Sequence, residues 1–193
     1  VPKDGSCSQD TIQWKWMDPA SSLSPPSRVA HAQAAHDRHV YIFGGRAGIT
    51  MSEQAMNDLW KLDPRTGIWT QVQPNTNNND SSLPEARSFH RMICLGDALY
   101  VFGGCGQSGK RLNDLYKYDI VKNTWEALPV SSLRGRGGPN MMPLAGGTQI
   151  GIVAGFAGEE TADGQVYDID QNVWEDKVRV YSDLRPRSVC VAA

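Results

Sequence analysis

The sequence predicts an all-β fold of repeated four-stranded sheets, and three recurrences carry the prediction. The segment Tyr41-Ile42-Phe43-Gly44-Gly45 returns as Tyr100-Val101-Phe102-Gly103-Gly104, and in weaker form as Ile152-Val153-Ala154-Gly155. Downstream of each copy an Asp is followed six residues later by a Trp: Asp63 and Trp69, Asp119 and Trp125, Asp168 and Trp174. Upstream of each stands an Arg: Arg28, Arg87 and Arg136. Gly45 and Gly104 are 59 residues apart, and Gly104 and Gly155 are 51 apart. A period of about 50 residues made of short apolar runs marks a propeller blade.

Taken in order, residues 1–10 are an N-terminal extension, and 11–17, with Trp14, reads as a fourth strand standing alone. Complete blades are expected near 28–72, 87–128 and 136–177. In the second, strands are expected at 88–95, 98–103, 115–118 and 124–128, rich in β-branched and aromatic residues. Leu95-Gly96-Asp97 makes a tight hairpin, and Asp119-Ile120-Val121-Lys122-Asn123 a longer turn. The Gly pair ends the second strand where backbones approach closely. Each Trp is an apolar plate, expected buried between its own blade and a neighbour. A four-stranded sheet cannot cover both its faces alone, so such units stack radially into a β-propeller. Residues 187–193, opening with Arg187-Ser188-Val189, begin a further repeat, so 11–193 reads as one propeller. Closed rings hold about four to eight blades, so three complete ones predict a native protein longer than this sequence.

Charged residues are 21% of the 193, with a formal net charge of −2, which leaves no basic surplus for nucleic acid or an anionic membrane. No apolar run approaches the ~18–20 residues of a membrane span. The four cysteines, Cys7, Cys94, Cys105 and Cys190, are far apart, without metal-ligand spacing. They read as free thiols, which points to a reducing, cytoplasmic compartment.

The arginines are the candidate ligand-binding residues. Arg28, Arg87, Arg136 and Arg187 each open a first strand, and repeat symmetry places them at similar heights around the channel. A guanidinium cluster there would suit a carboxylate, sulfate or phosphate. At least two, Arg87 among them, are expected to face the cavity without a full salt-bridge complement. The competing reading makes each a staple of the ring. His31 and His90 share a repeat position and are expected to pack the blades. No catalytic triad, HExxH or P-loop is present, so catalytic residues remain unassigned.

The Tyr/Phe-Gly-Gly, Asp and Trp spacing over 28–177 resembles the kelch family. More narrowly, Arg136-Gly137-Gly138, Gly155-Phe156-Ala157, Arg187-Ser188-Val189 and the segment Pro84 to His90 are similar to plant specifier proteins. That likeness implies an iron-dependent lyase acting on glucosinolate aglucones, with nitrile formation, and Arg87 facing the sulfated aglucone. It also implies a ferrous ion on a Glu-x-x-x-Asp-x-x-x-His loop beyond Ala193. Within the sequence only Glu159 and Asp163 match that spacing, followed by Tyr167 in place of His. No cofactor is therefore expected in this chain, with Fe2+ reserved for the full-length protein. The first reading is a binding or scaffold module for a protein partner or small anionic ligand, with no nucleic acid or membrane. The specifier-type enzyme comes second.

Overall fold

Period-two alternation and the glycine punctuation give strands almost throughout. A computed structural model describes residues 20, 23–75 and 83–189. The extension, the strand expected at 11–17, residues 76–82 and residues 190–193 lie outside the described residues. The first sheet contains β1 (Ala32–His36), β2 (His39–Arg46), β3 (Ala55–Asp63) and β4 (Ile68–Val72), paired in that order. The second contains β5 (Arg87–Ser88), β6 (Arg91–Leu95), β7 (Ala98–Gly106), β8 (Arg111–Asp119) and β9 (Thr124–Ala127). The third contains β10 (Asn140–Leu144), β11 (Gln149–Phe156), β12 (Glu160–Asp168), β13 (Val173–Trp174) and β14 (Arg179–Val180). All pairings within the sheets are antiparallel. The helical content of the described residues is one 3-10 turn, Ala145–Gly147. This is the all-β, three-bladed propeller segment that the repeats predicted.

The first strand of blade two differs from expectation, and blade three carries a fifth short strand, β14, beyond its expected end at 177. The continuous run at 88–95 is split into β5 and β6, both paired to β7, because Phe89 between them takes a φ of 56°. The other blades break at the same place, at Ala30 (φ 54°) and Gly138 (φ 57°).

The repeated Asp shapes the turn that brings in the Trp. Asp119 Oδ1 accepts hydrogen bonds from Val121 and Lys122 N–H at 3.1 and 2.9 Å, and Asp63 and Asp168 do likewise for Arg65 and Gln171. Gly67, Asn123 and Asn172 then take the left-handed conformation, two residues before each Trp.

β7 is buried at every position, which explains its unbroken apolar run. Leu99 and Val101 join Tyr41, Phe43 and Leu59 in one inter-blade core; Tyr100 and Phe102 join Ile150, Ile152 and Tyr167 in the other. Trp125 lies 5.1 Å from Phe43 of the preceding blade, and Trp174 lies 5.8 Å from Phe102, the same pair one blade on. Trp125 is 6% exposed, as expected. Trp69 and Trp174 are only partly buried.

Candidate interaction site at the channel mouth

The repeat arginines are held by the blades. Arg87 donates to both carboxylate oxygens of Asp114 on β8 at 2.7 and 2.9 Å, to Gly103 O on β7 at 3.1 Å, and to Glu85 O at 3.0 Å. Arg28 repeats this with Asp58, Gly44 O and Pro26 O, and Arg136 with Asp163, Ala154 O and Arg134 O. Arg87 and Arg136 are fully buried. Burial alone would raise the Asp58 and Asp163 carboxyls, but hydrogen bonding and charge from Arg28 and Arg136 hold both below the usual range. The backbone of Arg136 pairs with blade two, through Leu112 O and Gly104 N–H, while its side chain grips blade three. The expectation of unpaired arginines facing the channel, Arg87 first among them, is thereby corrected for Arg28, Arg87 and Arg136. A carboxylate from the third strand meets the guanidinium before any ligand can. Arg187 is exposed; its Nε repeats the local bond, to Arg185 O at 3.0 Å, and it has no ion pair among the described residues.

Around the axis runs a chain of backbone hydrogen bonds between blades. Phe89 N–H donates to Ala30 O at 2.9 Å, Gly138 to Phe89 O at 2.7 Å, and Val189 to Gly138 O at 2.8 Å. These four equivalent residues share a positive φ, which turns their backbone inward.

Two adjoining clefts open at this mouth, of about 350 and 300 Å3, and share Phe89, Gly138 and Val189. The first is bordered by Val29 and Ile49, the second by Met51, Phe156 and Arg111. Ile49 and Met51 lie on the β2–β3 loop, which is longer than its counterparts: Arg28 and Asp58 are 30 residues apart, against 27 in both other blades. That loop is anchored by Arg46. Its fully buried guanidinium donates to Met51 O and Glu53 O in the loop, and to Ser88 Oγ and Gly106 O in blade two.

Arg111 has a different situation. Its guanidinium carbon sits 4.7 Å from the centre of the Phe156 ring, and its buried Nε has no hydrogen-bond partner. It makes no ion pair among the described residues. Beneath the first cleft, His90 is fully buried against Phe43. Burial, then the charge of Arg87, lowers its pKa to about 3, so the ring is neutral. Burial and Arg28 lower that of His31 as well.

Sequence reasoning missed Arg46 and Arg111. Both stand in the last register pairs of the β2–β3-type hairpins: Arg46 with Ala55, Cys105 with Arg111, and Phe156 with Glu160. The signal in the sequence is that the repeats disagree at those positions.

The family model of the KLHDC2/KLHL20/DRC7 Kelch-repeats domain matches residues 4–193. The chain belongs to this kelch family. It is 36% identical over 101 residues to the leucine-zipper-like transcriptional regulator 1 homolog of Drosophila melanogaster, covering 52% of this chain and 10% of the relative. It is 36% identical over 105 residues to human Kelch domain-containing protein 10, covering 53% and 22%. Identity to bovine Kelch domain-containing protein 2 is 34% over 118 residues, covering 60% and 27%. The chain therefore matches between about a tenth and about a quarter of the length of these relatives. Kelch domains generally bind proteins, as protein-interaction scaffolds.

The partial match to the specifier iron spacing within the sequence is engaged in other contacts. Glu159 is paired to Arg134, Asp163 to Arg136, and Tyr167 donates to Asn172. Among the described residues no three His, Cys, Asp or Glu side chains gather to hold a metal ion. No described helix is long and apolar enough to cross a membrane.

Proposed function

We propose that this kelch segment binds an acidic segment of a partner protein at the channel mouth, through Arg111. The observation that carries the reading is a guanidinium on the cleft wall, stacked on Phe156, with a buried Nε left without an acceptor. A guanidinium that lines a cleft can take a carboxylate bidentately through its fork of donors. At the same end of the blades Arg28, Arg87 and Arg136 have carboxylates already, and Arg46 has carbonyls.

Acetate titration of the intact protein, followed by NMR at the Arg111 Nε–H and the Gly137 amide, tests this. Both signals are expected to shift with saturation, and Arg111→Gln is expected to abolish the response with unfolding unchanged. Equal acetate binding by Arg111→Gln overturns the reading.

Free thiols at Cys94 and Cys105 support a cytoplasmic location. The specifier-type, iron-dependent lyase is the alternative; neither the relatives nor the side chains at Glu159 and Asp163 support it.

A further inference from the structure

We infer that the partner segment carries a bulky apolar side chain beside its carboxylate, and that this side chain seats in the first cleft between Ile49 and Val189. The inference rests on the Arg111 reading and says what else the ligand must present. The two clefts are contiguous through Phe89, Gly138 and Val189, so a group held at Arg111 directs its neighbour into the space beside Ile49.

Four apolar side chains rim the mouth in contact with water: Ile49 is 86% exposed, Val189 64%, Val29 41% and Met51 38%. Exposed apolar groups scattered singly need no explanation, but several around one concavity mark an interaction surface. The position of Ile49 and Met51 is built. The longer β2–β3 loop is tied down by Arg46, and Gln107 of blade two accepts from Ala55 N–H and donates to Glu53 O at 3.4 Å. The first cleft is bordered by Val29, Ile49 and Val189, with His90 and Arg91 in its wall. His90 in its wall is neutral, and Arg91 donates through Nε to Pro139 O at 2.8 Å. An apolar ligand side chain seated there displaces water from Ile49, Val29 and Val189. Because both clefts open on the mouth side by side, the carboxylate is assigned to an Asp or Glu side chain within a continuing segment.

The test compares acetyl-Leu-Asp-amide, acetyl-Ser-Asp-amide and acetate on the intact protein by NMR titration. The Leu peptide is expected to bind about ten-fold more tightly than the Ser peptide, the gain from burying one aliphatic side chain. Ile49→Asp, at an exposed loop position, is expected to remove that difference and leave acetate binding intact. Equal affinity for the two peptides, with acetate still bound at Arg111, overturns this inference alone. Peptide binding that survives Arg111→Gln overturns the underlying reading instead. Acetyl-Gly-Leu with a free C-terminus binding more tightly than both amides overturns the side-chain assignment.

Discussion

Arg87 divides its guanidinium among Asp114, Gly103 O and Glu85 O, and it is fully buried, while the Asp114 side chain is 24% exposed. The two halves of this pair are therefore unequal. Removing the carboxylate leaves a buried cation unpaired, a change that costs about 3–5 kcal/mol. Asp114→Ala is thus expected to destabilise by that amount in urea unfolding, and Arg87→Ala by less, because water reaches the remaining carboxylate. His90 gives a second expectation. Its pKa is about 3 in the fold, against 6.5 for the free side chain, so the unfolded chain binds the extra proton between those values. Stability contributed by the neutral ring is complete above about pH 6.5 and falls as pH drops toward 3, by about 1.4 kcal/mol per pH unit. The lowered pKa of His31 acts in the same direction, whereas Asp58 and Asp163 lose their ion pairs only below the ordinary carboxylate value of 3.8. Urea unfolding from pH 7 to 4.5 is expected to show this loss, and His90→Leu to flatten it.

At the scale of single elements, two glycines with positive φ differ in what surrounds them. Gly104 (φ +98°) closes the second-strand bulge, where an added Cβ would meet Ser88 O at 2.6 Å and His90 Cβ at 2.8 Å. Gly96 (φ +55°) sits in the β6–β7 hairpin with nothing within 4 Å. Gly96→Ala is expected to cost only the left-handed strain, about 1 kcal/mol. Gly104→Ala adds a backbone collision and is expected to cost at least twice as much, since neither partner is a flexible side-chain end. Thermal unfolding of the two variants checks the order. Blade three keeps the bulge with Ala154 at φ 63°, so in that blade the first position carries a methyl group, whereas at Gly44 of blade one an added Cβ would meet Arg87 O at 2.7 Å.

Over the whole molecule, stability resides between blades more than within them. Each of the two large cores is shared by neighbouring sheets, and Trp125 joins Phe43 of blade one to Tyr118 of its own blade. Trp125→Ala is expected to cost about 3–5 kcal/mol, as for other buried aromatics. Stacked repeats couple mainly to nearest neighbours, so the loss is expected to fall on the first interface. Hydrogen exchange reads this directly: amides of β1 and β2 should lose protection before those of β11. Uniform loss across all three blades would show a more cooperative unit than nearest-neighbour packing implies.

The repeat period, the strands, the glycine bulges and the Asp-to-Trp turn were legible in the residues, because each follows from local backbone geometry and from alternation across a sheet. So were the positions of Arg28, Arg87, Arg136 and Arg187 at the openings of first strands. Their chemistry was not, because a guanidinium's state depends on which acid reaches it, and Asp114 lies 27 residues away on another strand. Asp58, Asp114 and Asp163 became visible as partners only once the third strand of each blade was laid beside the first. The same holds for Arg46 and Arg111, whose roles come from a loop carbonyl, a ring of the next blade and a cleft that no single repeat contains. Local periodicity determined the blades of this kelch segment, and only the packing of blade on blade decided which arginine was left without an acceptor.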